Sequence, residues 1–158
     1  MPKLIGSPTP VPASGNKARL VDEYVGLINT GDTGISIAHS RCPAGWEEPA
    51  QCPKFDRFTI VLRGMVRVEH ADGAIEAEAG QAIHAIRDEW VRYSTPSEAG
   101  AEYIAVCIPA YSRADIRWED RSTSGPRLST GFPKGGSRTT LPDCQCEGPG
   151  QEVESAQM

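Results

Sequence analysis

No stretch of this 158-residue chain approaches the roughly 18 consecutive apolar residues that a membrane span requires. The first 18 residues hold proline and glycine but no apolar signal core, so no export signal is expected and a cytoplasmic protein is. Positive charge is not in excess either. The formal net charge of -5 argues against a nucleic-acid partner, because phosphate backbones bind basic faces. Histidine is scarce, with only His39, His70 and His84, and no Ser-His-Asp order, phosphate loop or nucleotide fingerprint occurs. The five cysteines, Cys42, Cys52, Cys107, Cys144 and Cys146, are odd in number and fit no disulfide framework. In a cytosolic chain they read as thiols. Cys144 and Cys146 form a close pair, but a closed zinc site needs more ligands than one pair supplies.

Helical periodicity is nearly absent too. What is present from residue 20 to residue 116 is a series of short β-rich runs broken by turn residues: 21–28, 34–40, 58–62, 65–69, 74–78, 82–86, 91–94 and 102–108. The run 21–27 also reads as a short helix. Asp72-Gly73 is a hairpin signal, since this pair tolerates the positive φ angles of a tight turn. Gly64 is placed at a hairpin by the same reading. Pro8, Pro10 and Pro12 make the N-terminal segment an arm. Residues 121–158 are rich in Gly, Pro, Ser and Thr and hold few large apolar side chains, so a poorly structured tail is expected. The division is therefore an arm over 1–19, a barrel or sandwich over 20–120 and a tail over 121–158.

Two stretches carry a resemblance. One runs from Pro43-Ala44-Gly45-Trp46 to Phe58-Thr59-Ile60-Val61-Leu62-Arg63-Gly64. The other runs from Ala79-Gly80-Gln81-Ala82 to Glu89-Trp90-Val91-Arg92-Tyr93-Ser94-Thr95-Pro96. They resemble the two motifs of the cupin superfamily, and the run 101–112 is similar to the last barrel strand of a group of bacterial cupins. The resemblance covers residues 20–118. It implies an all-β fold, the double-stranded β-helix or jelly-roll barrel, and a homodimer. It also implies a metal held by His and Glu ligands. It names no single chemistry, because the superfamily includes dioxygenases, isomerases, epimerases, decarboxylases, lyases, cyclases and proteins without turnover.

The family's ligands do not carry over. Counting back from Gly64, the Glu position falls on Arg57. The two His positions fall on Ala50 and Cys52, or on Gln51 and Pro53, and the second-motif His falls on Val91. An arginine has donors and no acceptor and stays charged, so it repels a cation and attracts an anion. No metal and no cofactor are expected. A displaced metal site would need His39 and His84 with Cys52, or with Glu48 or Asp56.

Period-two alternation puts Arg57, Thr59 and Val61 on one face and Phe58, Ile60 and Leu62 on the other. The resemblance places the Arg57 face inside, and Val91 and Tyr93 with it. Tyr103, Ala105 and Cys107 share a face, as do Ile35, Ile37 and His39. The candidates for catalysis are His39, Tyr93 and Tyr103. Those for substrate binding are Arg57, Gln51, Cys52, Thr59 and His84. Each has a plainer reading. His39 serves as a core or rim histidine, His84 is solvated, and the tyrosines are core rings. Arg57 pairs with Asp56, Glu47 or Glu48. Trp46 and Trp90 pack at the barrel ends. Three functions stay open: a metal-independent isomerase, lyase or cyclase on an anionic or polarised small molecule, a ligand-binding protein without turnover, and a metal-dependent enzyme with an unusual ligand set.

Overall fold

A computed structural model describes residues 1–119, so the expected tail, with Cys144 and Cys146, lies outside the described residues. Eleven strands among the described residues are hydrogen-bonded together, eight along one path and three paired to its side, and they fold into two sheets. The first sheet holds β1 (Thr9–Pro10), β2 (Leu20–Val25), β3 (Ser36–Cys42), β8 (Ala82–Ala85) and β10 (Ala101–Ile108). The second holds β4 (Trp46–Glu47), β5 (Gln51–Pro53), β7 (Gly73–Glu78), β9 (Val91–Thr95) and β11 (Ile116–Trp118). The long strand β6 (Asp56–His70) belongs to both. Its first half pairs with β8 and β10, and its second half pairs with β7 and β9. No α-helix occurs among the described residues, so the run read as strand or short helix is strand to Val25 and then turns.

β6 corrects the hairpin expected at Gly64. The chain does not reverse there; it bends. The register with β10 shifts between Glu102 and Tyr103, a bulge that lets one strand leave the first sheet and enter the second. Residues 57, 59 and 61 are buried before the bend and 66 and 68 after it, so the inward parity changes from odd to even. Gly64 carries the bend at φ +71, and a Cβ there would lie 2.0 Å from the carbonyl oxygen of Gly100. Only glycine permits both the angle and the approach. The Asp72-Gly73 signal holds, since β6 and β7 pair through His70 and Gly73.

The core lies between the sheets, with Trp46, Tyr93, Tyr103, Val61, Val66 and Val91 almost wholly buried. Burial of each such large side chain contributes about 1.5–3 kcal/mol. The N-terminal arm is tied to this barrel. Val11 N–H donates to Val21, Asn16 N–H donates to Glu47, and the Lys17 ammonium donates to Ala44 at 2.6 Å. Gly15 lets the arm run against Trp46, because a Cβ there would meet the indole Nε1 at 2.1 Å.

Candidate functional site

Arg57 points into the barrel and is 8% exposed. Its guanidinium lies over the Tyr93 ring, 4.0 Å from the centroid, within cation–π range. Its Nη2 donates to the Tyr103 hydroxyl at 3.4 Å, and its Nη1 lies 3.6 Å from the Glu48 carboxylate. A second guanidinium enters from the arm. Arg19 donates to the same Tyr103 hydroxyl at 2.9 Å and to Glu48 Oε2 at 3.4 Å, while stacking over Trp46 at 4.3 Å. Gln51 Nε2 donates to Glu48 Oε1. One buried carboxylate is thus shared by two guanidiniums, and two tyrosines frame them. An isolated buried charge would be costly, so this sharing is what permits both arginines inside.

Burial opposes the charge on Arg57, but Tyr93, Glu48 and Tyr103 outweigh it and hold the pKa above the ordinary arginine value. Arg19 is likewise raised: burial works against its charge, and Tyr103 and Glu48 favour it. Burial pushes Tyr93 up to about 12, with Arg57 pulling the other way. Tyr103 is also raised by burial, against the pull of Arg19 and Arg57. Both phenols therefore keep their protons near neutral pH; the Tyr103 oxygen accepts from both guanidiniums, and the Tyr93 hydroxyl has no partner.

Several buried polar atoms have no partner: Arg57 Nε, Arg19 Nε, Thr59 Oγ1 and the Tyr93 hydroxyl. Native interiors seldom leave such groups unpaired without a water or ligand to meet them. A cavity of about 50 Å3 adjoins the arginines, bounded also by Val11, Pro12, Glu23, Ser36, Ala105 and Cys107. That space holds about four waters.

Arg57, Gln51, Tyr93 and Tyr103 are thus brought together around Glu48, and Thr59 lies beside Arg57 on the inward face of β6. Three other candidates are not. His39 faces outward, where its Nε2 meets Glu102 at 2.7 Å. On β3 the buried positions are Ser36, Ser40 and Cys42, so the inward set is even-numbered and not the 35, 37, 39 set. A shift of one residue turns every side chain to the other face. His84 is exposed on β8 and stacks on Phe58 outside the barrel, with centroids 4.2 Å apart. Cys52 is disulfide-bonded, which corrects the reading of all five cysteines as thiols and removes it as a free donor. Cys42 and Cys107 are free, and burial raises both thiol pKa values. Sequence reasoning missed Arg19, which precedes both motifs and fell within the supposed arm. It also missed Glu23. Glu48 was one of three acids weighed for Arg57, and neighbours along the chain do not distinguish them.

No family model matches the chain. Among curated proteins it is 33% identical over 91 residues to an endoribonuclease, YbeY, of Myxococcus xanthus. The match takes in 58% of this chain and 31% of that protein, so the chain spans about a third of its relative's length. Among solved structures, the polyketide cyclase RemF from Streptomyces resistomycificus superposes with a TM-score of 0.62 at 16% identity, over 78% of this chain and 88% of that one. A single-substitution variant of Streptomyces Pac13 with uridine gives 0.60 at 15%, over 75% and 92%. Oxalate decarboxylase from Bacillus subtilis gives 0.60 at 14%, over 72% and 30%. The chain is a cupin by fold. At the positions where the resemblance would place metal ligands, the residues do not fit a metal. Arg57 is a buried cation paired to Glu48, Gln51 donates to that same carboxylate, and Val91 has no donor atom. A divalent cation needs neutral or anionic lone-pair donors. Among the described residues no three His, Cys, Asp or Glu side chains come together to hold one.

Proposed function

We propose that this cupin binds an anionic or strongly polarised small molecule at Arg57, and that it is an isomerase, lyase or cyclase working without a metal. The observation that carries this is the placement of Arg57: inward, buried, and with its Nε still without a partner. Arg57 would stabilise negative charge building on a substrate oxygen, and the phenol of Tyr103 or Tyr93 would donate the proton that quenches it. Thr59 and Gln51 would hold the rest of the ligand. RemF is a polyketide cyclase and Pac13 a nucleoside dehydratase, so small-molecule conversion occurs on this fold. The alternative is a binding protein without turnover. It is favoured by one fact: all three histidines are at least part-exposed, so none is buried within the barrel to serve as a base.

We also propose a homodimer formed through the outer face of the first sheet. Phe58, Ile60 and Leu62 run along β6 there, with Ile60 and Leu62 exposed, and Val106 and Ile104 of β10 pair beside Phe58 and Ile60. An apolar face of this extent is usually covered.

Calorimetric titration with acetate tests the anion reading. Arg57→Lys keeps the charge but loses the two-pronged geometry, so binding should weaken about tenfold. Arg57→Glu should abolish it. Equal affinity in the wild type and both variants would overturn the proposal.

A further inference from the structure

The cavity beside the arginines has a second charged wall. Glu23 of β2 is buried, and its Oε1 accepts N–H bonds from Ile28 and Asn29, each 2.9 Å long. Both bonds fall on one oxygen. Glu23 lines the same cavity as Arg19 and Arg57. The sheet explains how the opposite charges come to share a space. Across the strands Glu23 pairs with Ala38, Ala38 with Ala105 and Ala105 with Thr59. In a neighbouring row Ser36 pairs with Cys107, and Cys107 with Arg57. The β3 and β10 side chains that line the cavity are small, namely Ser36, Ala38, Ser40, Ala105 and Cys107, while Val21 and Tyr111 line it as well. Larger residues on β3 and β10 would have filled this floor. As built, it separates a carboxylate from two guanidiniums.

The charges also balance. Arg19 and Arg57 face Glu48 and Glu23, two of each sign. A ligand that is neutral overall but has separated charges enters without leaving a net buried charge, whereas a bare anion leaves Glu23 without a counterpart. We propose that the cavity binds a small zwitterion, an aminocarboxylate whose carboxylate meets Arg57 and Arg19 and whose ammonium meets Glu23. This rests on the reading of Arg57 as the group that holds the anion. Room for about four waters limits the enclosed part to a few heavy atoms. Val11 and Pro12 of the arm also line the cavity.

The test is a calorimetric series at millimolar concentration: glycine, β-alanine and 4-aminobutyrate, each against its deaminated counterpart, acetate, propionate or butyrate. At least one amino acid should bind about tenfold more tightly than its counterpart, because an ammonium on a carboxylate makes a charge-assisted bond. Glu23→Gln should erase that preference and let the simple carboxylates bind more tightly than in the wild type, since the buried negative charge is gone while the amide oxygen can still accept from Ile28 and Asn29. If the turn is disturbed in that variant, the wild-type ratios alone decide. Binding of the simple carboxylates with no gain from any amino group overturns the zwitterion proposal and leaves the anion reading standing. No binding by any of the six compounds overturns both.

Discussion

Replacing Glu48 by glutamine removes the carboxylate that touches both Arg19 and Arg57. The distances are 3.4 and 3.6 Å, and only 1% of the Glu48 side chain is exposed. At such separations each pair attracts by about 5 kcal/mol at an effective dielectric constant of about 20. Desolvation of three charges cancels much of this, and breaking a buried pair by deleting one partner typically costs about 3–5 kcal/mol. The amide oxygen can still accept from Gln51, so the lower end, about 3 kcal/mol, is expected. Urea unfolding followed by tryptophan fluorescence measures it, with Trp46 buried under Arg19 as a probe. With a slope of about 2 kcal/mol per molar, the midpoint should fall by about 1.5 M. The variant leaves an excess of one buried positive charge, so acetate should stabilise it more than the wild type. At ten times its dissociation constant, acetate restores about 1.4 kcal/mol. A midpoint within experimental error of the wild type, or no greater rescue by acetate, would refute the shared-carboxylate account.

Tyr93 makes stability fall in alkali. Its folded pKa of about 12 exceeds the ordinary 10, so between those values the unfolded chain releases a proton that the folded one keeps. The contribution is intact below pH 10 and lost as pH rises toward 12, up to about 3 kcal/mol, and a flat Tyr93→Phe difference across that window would contradict it. Gly64→Ala forces a Cβ to within 2.0 Å of the Gly100 carbonyl at φ +71, so a loss of about 3 kcal/mol or more is expected, and an unchanged melting temperature would count against the bend. Ile60→Glu places a charge on the proposed dimer face; light scattering should report a dimer for the wild type and a monomer for the variant, and two monomers would refute the pairing.

The sequence made the strands legible because their period-two pattern and turn residues are local signals. On β6, β9 and β10 the inward face was also legible, and Arg57, Tyr93 and Tyr103 lie buried on it. On β3 it was not, because Ile35, Ile37 and His39 are as apolar or chemically inviting as the Ser36, Ala38 and Ser40 that line the cavity. A half-covered outer face blurs alternation, since both faces then carry apolar residues. The bend at Gly64 was misread as a reversal, for a glycine signals an unusual backbone angle without saying which way the chain leaves. Arg19 and Glu23 were invisible as site residues because their roles depend on where β2 and the arm lie against the barrel, a long-range fact with no local pattern.

An arginine-based anion site inside the barrel, as proposed above, would have a direct crystallographic signature. Anomalous diffraction from crystals of the full chain soaked in sodium bromide tests it in one map, because data above the bromine edge reveal bromide and transition metals alike. A bromide peak is expected in the cavity within about 3.5 Å of an Arg57 or Arg19 nitrogen, with no metal peak inside the barrel. A metal peak coordinated between the two sheets, or bromide found only on the outer surface, would contradict the proposed site.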